Sequence, residues 1–93
     1  MILGVVISEI HATVQHPFYA SRKKLVVEKT RPDGAPGGEY LIAVDTVGAG
    51  RGETVLIVDE GNSARQVLDS ANAPVRSVIV GIVDRITLEG ARA

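Results

Sequence analysis

The chain has 93 residues, 45% of them apolar, and a net charge of −1 from 10 basic and 11 acidic side chains. That length holds one domain, residues 1–93, whose core buries only about 60–65% of the unfolded surface, so self-association is an expected source of stability. The absence of cysteine excludes disulfides and thiolate metal sites, and the balanced charge argues against a dedicated nucleic-acid binder.

No apolar run is long enough to span a bilayer as a helix. Met1–Ile10 lacks a basic leader and is interrupted by Ser8 and Glu9, so it does not read as a signal peptide, and a soluble cytoplasmic protein is expected.

Valine and isoleucine dominate the apolar residues, as suits a pleated, half-buried surface. Their runs fall between turn signals at Ile2–Ile10, Leu25–Glu28, Tyr40–Asp45, Thr54–Asp59 and Val75–Ile86. Five short strands at this spacing predict an all-β fold, a small five-stranded OB-like β-barrel or sandwich. The connection from Arg31 to Gly38 is rich in Pro and Gly and reads as a turn. Between the fourth and fifth strands, Ser63 and Gln66 form a capping-box pattern ahead of a short helix over Ala64–Ser70, which Asn72-Ala73-Pro74 ends. The basic cluster Arg22-Lys23-Lys24 reads as a solvated strand start.

The fifth strand is apolar on both sides, with Val78, Val80, Ile82 and Ile86 on one face and Ile79 and Val83 on the other around Gly81. A lone barrel has one interior, so the second face is expected to be covered by a neighbouring subunit. Ile79 and Val83 are therefore candidate interface residues. Arg65 and Asp84, where helix and strand meet loop, form either a bidentate pair across that interface or an ordinary surface ion pair.

Gly48-Ala49-Gly50-Arg51-Gly52 invites comparison with a phosphate-binding loop. Such a loop needs a following helix with Lys-Ser/Thr at its start, and here Glu53 and a strand follow. A tight turn, or a loop packed at a subunit axis, fits better. Gly48 and Gly50 are expected to adopt positive φ or to touch a neighbour. Arg51 either lines such an axis, or points outward into solvent or pairs with Glu53. His11 and His16 read as surface histidines without a metal partner set, and Ser63 as a helix cap, so neither cofactor nor catalytic residue is expected. Phe18, Tyr19 and Tyr40 are too few to build a stacking platform for single-stranded nucleic acid.

With these residues assembled, the chain resembles the bacterial microcompartment vertex protein family of the EutN/CcmL type. Asp45 through Leu56 follows the family signature Asp-x-Val/Ile-Gly-Ala-Gly-x-Gly-Glu-x-Val-Leu. Gly61, Ser63, Ala64 and Arg65 match a Gly-Ser-Ser-Ala-Arg segment, with Asn62 in place of its first Ser. Pro74 and Val75, then Ile79, Ile82, Val83 and Asp84, match a Pro-Val pair and an Ile-x-x-Ile-Val-Asp strand. The first half is similar at Gly4, Thr13 and Val14 and along Lys24–Glu28. Gln15, where many relatives are basic, and Pro17-Phe18-Tyr19 depart from the pattern.

The resemblance implies a barrel that assembles as a homo-oligomer, typically a pentamer, at the vertices of a bacterial microcompartment shell. It also implies hexameric shell-tile proteins as partners, a cytoplasmic location within that shell, and a structural rather than enzymatic role. Nucleic acid and membrane are not expected partners. A small OB-fold nucleic-acid-binding protein is the alternative from a different class.

Overall fold

The computed structural model describes residues 1–11, 17–19, 22–68 and 75–85. The readings placed on Thr13, Val14, Gln15, His16, Asn72-Ala73-Pro74, Ile86 and the end of the helix at Ser70 lie outside the described residues. Five strands close into a barrel: β1 (Ile2–Ile10), β2 (Lys24–Thr30), β3 (Pro36–Asp45), β4 (Thr54–Asp59) and β5 (Ser77–Ile82). A one-turn 3-10 helix lies at Pro17–Tyr19, and α1 (Gly61–Val67), the single α-helix among the described residues, joins β4 to β5. Around the barrel the order is β1-β2-β3-β5-β4. The predicted five-stranded barrel with one short helix is the observed fold.

Alternation along the strands sorts side chains to the two faces. Val6, Leu25, Val27, Ala43, Val55, Ile57 and Ile79 fill the interior together with Ala49 from the loop after β3. In the β2–β3 ladder, Leu25 faces Ala43 inside the barrel and Val26 faces Ile42 outside it. β1 carries a register shift between Val6 and Ser8, which places Ile7 out of step at a sharp bend.

The turn between β2 and β3 is tighter than its composition implies. Arg31 N–H donates to the Ala35 carbonyl at 3.0 Å and Gly34 N–H to the Arg31 carbonyl at 2.8 Å. Asp33 Oδ1 accepts from Ala35 N–H at 2.9 Å. These bonds confine the reversal to residues 31–35. Pro36, Gly37 and Gly38 belong to the strand, with Thr30 opposite Pro36 across a register shift and Gly38 at φ 78° supplying the irregularity.

The fifth strand corrects a second expectation. Val78 and Ile79 are both fully buried within the single chain. Ile79 belongs to the barrel interior. Val78 lies in a second cluster with Val44, Ala64 and Val75, against which Tyr19, Leu68 and Val80 pack. The face of Ile79, expected at a subunit interface, is thus the barrel interior, and the outer face, that of Val78 and Val80, is covered by α1 and by Tyr19 of the same chain. Val78 and Val80, two residues apart, reach this cluster from one face of the strand, and the slip of the β4–β5 ladder between Leu56 and Ile57 leaves Val80 without a register partner.

The helix cap also differs from the expected one. Glu60, with extended backbone at φ −154° and ψ 128°, is the N-cap, and its carboxylate accepts from the backbone N–H of Asn62 and Ser63. The Ser63 hydroxyl donates to the same carboxylate at 2.8 Å. A carboxylate that receives three hydrogen bonds leaves Ser63 within the first turn rather than ahead of it.

Candidate functional site

The glycine-rich loop between β3 and β4 is built on one buried carboxylate. Asp45, at the end of β3, has a side chain only 2% exposed. Its Oδ1 accepts from Val47 N–H at 3.1 Å and its Oδ2 from Ala49 N–H at 2.9 Å. Lys23 Nζ lies 3.8 Å from Oδ2 and donates to the Ala49 carbonyl at 2.6 Å. The loop is thereby folded over the end of the barrel, and the Ala49 methyl plugs the interior with no exposed surface.

Gly48 at φ 76° and Gly52 at φ 88° make the two turns that this path requires, a conformation that side-chain-bearing residues adopt at a cost. Gly48 meets the expectation of positive φ. Gly50 does not share it: the left-handed positions are Gly48 and Gly52. A Cβ at Gly50 would meet Glu53 Oε1 at 3.4 Å, an ordinary contact.

Glu53 closes the loop from the other side. Its Oε1 accepts from Gly50 N–H at 2.6 Å, and its own N–H donates to the Gly50 carbonyl at 3.1 Å. Gly52 N–H donates to the Val6 carbonyl at 2.8 Å, and Val6 N–H to the Glu53 carbonyl at 3.0 Å, which ties the loop to β1. The phosphate reading fails on this geometry, because Asp45 and Glu53 already occupy the amides of Val47, Ala49 and Gly50. Arg51 stands exposed at the tip and makes no ion pair among the described residues; Glu53 is engaged with Gly50 instead.

Beside the loop a recess of about 300 Å³ is lined by Ser8, Glu9, His11, Lys23 and Arg51 among others. Among the described residues no three His, Asp or Glu converge as metal ligands.

The candidate interface residues separate. Arg65 lies on α1, where its Nη2 donates to Asn62 Oδ1 at 2.5 Å. Asp84 is exposed just beyond β5, beside the Pro32–Gly34 turn, Thr54 and Arg85. The β4–β5 register runs from Asp59 opposite Ser77 to Val55 opposite Ile82, so Arg65 and Asp84 sit at opposite ends of this ladder and do not pair within a chain. Val83 is half-buried, its N–H donating to the Thr54 carbonyl at 2.8 Å. Ile79 is withdrawn from any surface, being wholly inside the barrel.

Sequence reasoning passed over the groups that organise this end of the molecule. Asp45 reads only as the end of the third strand and the start of the glycine signature, and Lys23 as part of a solvated basic cluster. The signal was present in Asp45 followed two and four residues later by the amides of a glycine loop, an Asx-type arrangement. Its cationic partner, far upstream in the chain, could only be found by folding. Glu60 is likewise a finding of the structure. The hydrogen bonds from Asn62 N–H, Ser63 N–H and the Ser63 hydroxyl, aided by the Arg65 charge, hold its carboxyl below the ordinary value of about 4.5.

The fold defines a small closed β-barrel module, one end of which is capped by a glycine loop braced by Asp45 and Glu53. Residues 1–84 match the model of the family described as "Ethanolamine utilisation protein EutN/carboxysome". The chain belongs to this family.

It is 44% identical over 90 residues, 97% of this chain and 94% of the other, to the bacterial microcompartment shell vertex protein EutN of Escherichia coli K12. The solved structure of the GrpN pentameric microcompartment shell protein from Rhodospirillum rubrum is 35% identical, with a TM-score of 0.85 over 95% of this chain and 99% of that one. The structure of Gloeobacter violaceus CcmL is 32% identical, with a TM-score of 0.88 over 96% and 91%. These relatives are structural shell proteins, not enzymes, and the nucleic-acid-binding alternative finds no support among them.

Proposed function

We propose that this chain is a structural subunit that assembles as a ring of five and closes the vertices of a bacterial microcompartment shell in the cytoplasm. The observation that carries this reading is the agreement of the whole barrel with relatives described as shell vertex and pentameric shell proteins. Geometry supports it independently: a sheet of hexagonal tiles is flat, and closure demands five-fold positions. The partners are then further copies of this chain and the hexameric tile proteins of the same shell.

On this reading the Gly48-Ala49-Gly50-Arg51 tip faces the ring axis, and Arg65 and Asp84 take part in contacts between copies. The rigid bracing by Asp45 and Glu53 suits a loop that must hold the same shape in every copy. Native mass spectrometry tests the ring directly. A particle of five chain masses is expected, and a stable monomer at micromolar concentration overturns the reading.

A further inference from the structure

Gly81 has no evident use within its own chain. It lies inside β5, in the apolar run Val78-Ile79-Val80-Gly81-Ile82, where any β-branched residue would serve the strand better. Its backbone is not among the positive-φ glycines. A Cβ built on it meets only Leu56 Cβ at 3.8 Å, an ordinary contact. Neither conformation nor crowding in the single chain calls for glycine. A strand glycine marks a bulge, a bend or the close approach of another backbone or ligand; the register slip beside Gly81 does not itself require glycine, since Gly81 lies outside the left-handed region, which leaves the close approach.

The approach comes from outside the barrel. Gly81 pairs with Leu56, and Leu56 with Leu3. Leu56 lies between Val55 and Ile57, both fully buried in the interior, so it faces outward. Leu3, Leu56 and Gly81 therefore form a flat apolar floor with a missing side chain at its edge. A second apolar patch stands on a different flank. Tyr40 is 61% exposed and Ile42 59% exposed, the latter in register with Val26 on the outer face of β2 and β3.

We infer that the Tyr40–Ile42 flank of one copy packs over the Gly81 floor of the next, making the repeated contact of the ring. This rests on the ring proposed above. A cyclic ring of five joins copies head to tail, through two different patches on each. The chain presents one patch of projecting side chains and one lacking a side chain, and a second copy fits both.

The test uses Gly81→Gln on the floor and Ile42→Glu on the projecting flank, with Tyr40→Ser as a milder variant of an already exposed residue. Each is expected to keep the circular dichroism of the barrel and to lose the ring in native mass spectrometry at micromolar concentration. An equimolar mixture of Gly81→Gln and Ile42→Glu is expected to give a two-copy particle, because a mixed pair retains one intact floor and one intact flank. Rings formed normally by Gly81→Gln, or by both Ile42→Glu and Tyr40→Ser, overturn the inference, as does a mixture that stays monomeric. If the unmodified chain is itself monomeric, the ring reading fails too, and the two failures are told apart by that control.

Discussion

Lys23 and Asp45 meet across the end of the barrel, Nζ to Oδ2 at 3.8 Å, with the carboxylate almost wholly withdrawn from water and the ammonium one-third exposed. The pair is asymmetric in function. Asp45 collects the amides of Val47 and Ala49, while Lys23 takes the Ala49 carbonyl. Together they satisfy the polar backbone of a loop whose central methyl sits in the core.

Replacing Asp45 by Ala removes the acceptor of two amides and the carboxylate beside Lys23, which keeps only the Ala49 carbonyl. The exposed Val47 amide returns to water, but the part-buried Ala49 amide left unsatisfied costs about 1–3 kcal/mol, so a clear drop in urea midpoint is expected with the slope unchanged. Asp45→Asn is expected to lie between, because its amide nitrogen cannot accept from Ala49. Equal stability of Asp45→Ala and the unmodified protein would show that the loop is not braced from this point.

The loop glycines are expected to rank by backbone conformation. Gly48→Val and Gly52→Val force a β-branched residue into the left-handed region at about 1–3 kcal/mol each. Gly50→Ala meets only the flexible end of Glu53 and is expected to be milder than either. Thermal denaturation of the three variants checks the order, and a Gly50→Ala variant less stable than Gly48→Val contradicts it.

The Glu60 cap predicts a pH dependence with a defined sign. Its folded pKa lies below the ordinary carboxylate value of about 4.5. The cap therefore contributes fully above that value, and its contribution is lost as pH falls through the lower folded pKa. The melting temperature of the unmodified protein minus that of Glu60→Gln is expected to shrink on acidification below about 4.5. A difference that stays constant or grows there contradicts the capping role.

Arg65 and Asp84 lie at opposite ends of the β4–β5 ladder in one chain, so any pairing between them joins two copies. Arg65→Glu is expected to weaken the ring while sparing the fold, and Asp84→Arg to restore assembly in the double variant. Ring dissociation on dilution, followed by native mass, reads both steps. If Arg65→Glu assembles as before, its hydrogen bond to Asn62 is its whole role.

The strand positions were legible in the linear chain because their causes are local. β-Branched runs and the turn residues between them place β1 at Ile2–Ile10 and β4 at Thr54–Asp59 to the residue. The signature from Asp45 to Leu56 likewise carried the family, since it is contiguous. Other features depended on contacts that no local pattern encodes. Which glycines turn left-handed was settled by how Asp45 and Glu53 pull the intervening amides, selecting Gly48 and Gly52 over Gly50.

The cover over the outer face of β5 is the clearest case. A strand apolar on both sides reads as needing a second cover, and a neighbouring copy over Ile79 and Val83 is the simplest one on paper. In the folded chain Ala64 of α1, carried by the connection from β4 to β5, and Tyr19, from the connection between β1 and β2, arrive there instead. Hydrophobic patterning determines that a surface must be buried, because burial is a property of the side chain itself. It does not determine by what. That choice follows from chain connectivity and packing in three dimensions, and here it moves the expected subunit contact away from Ile79, toward faces that the single chain leaves open.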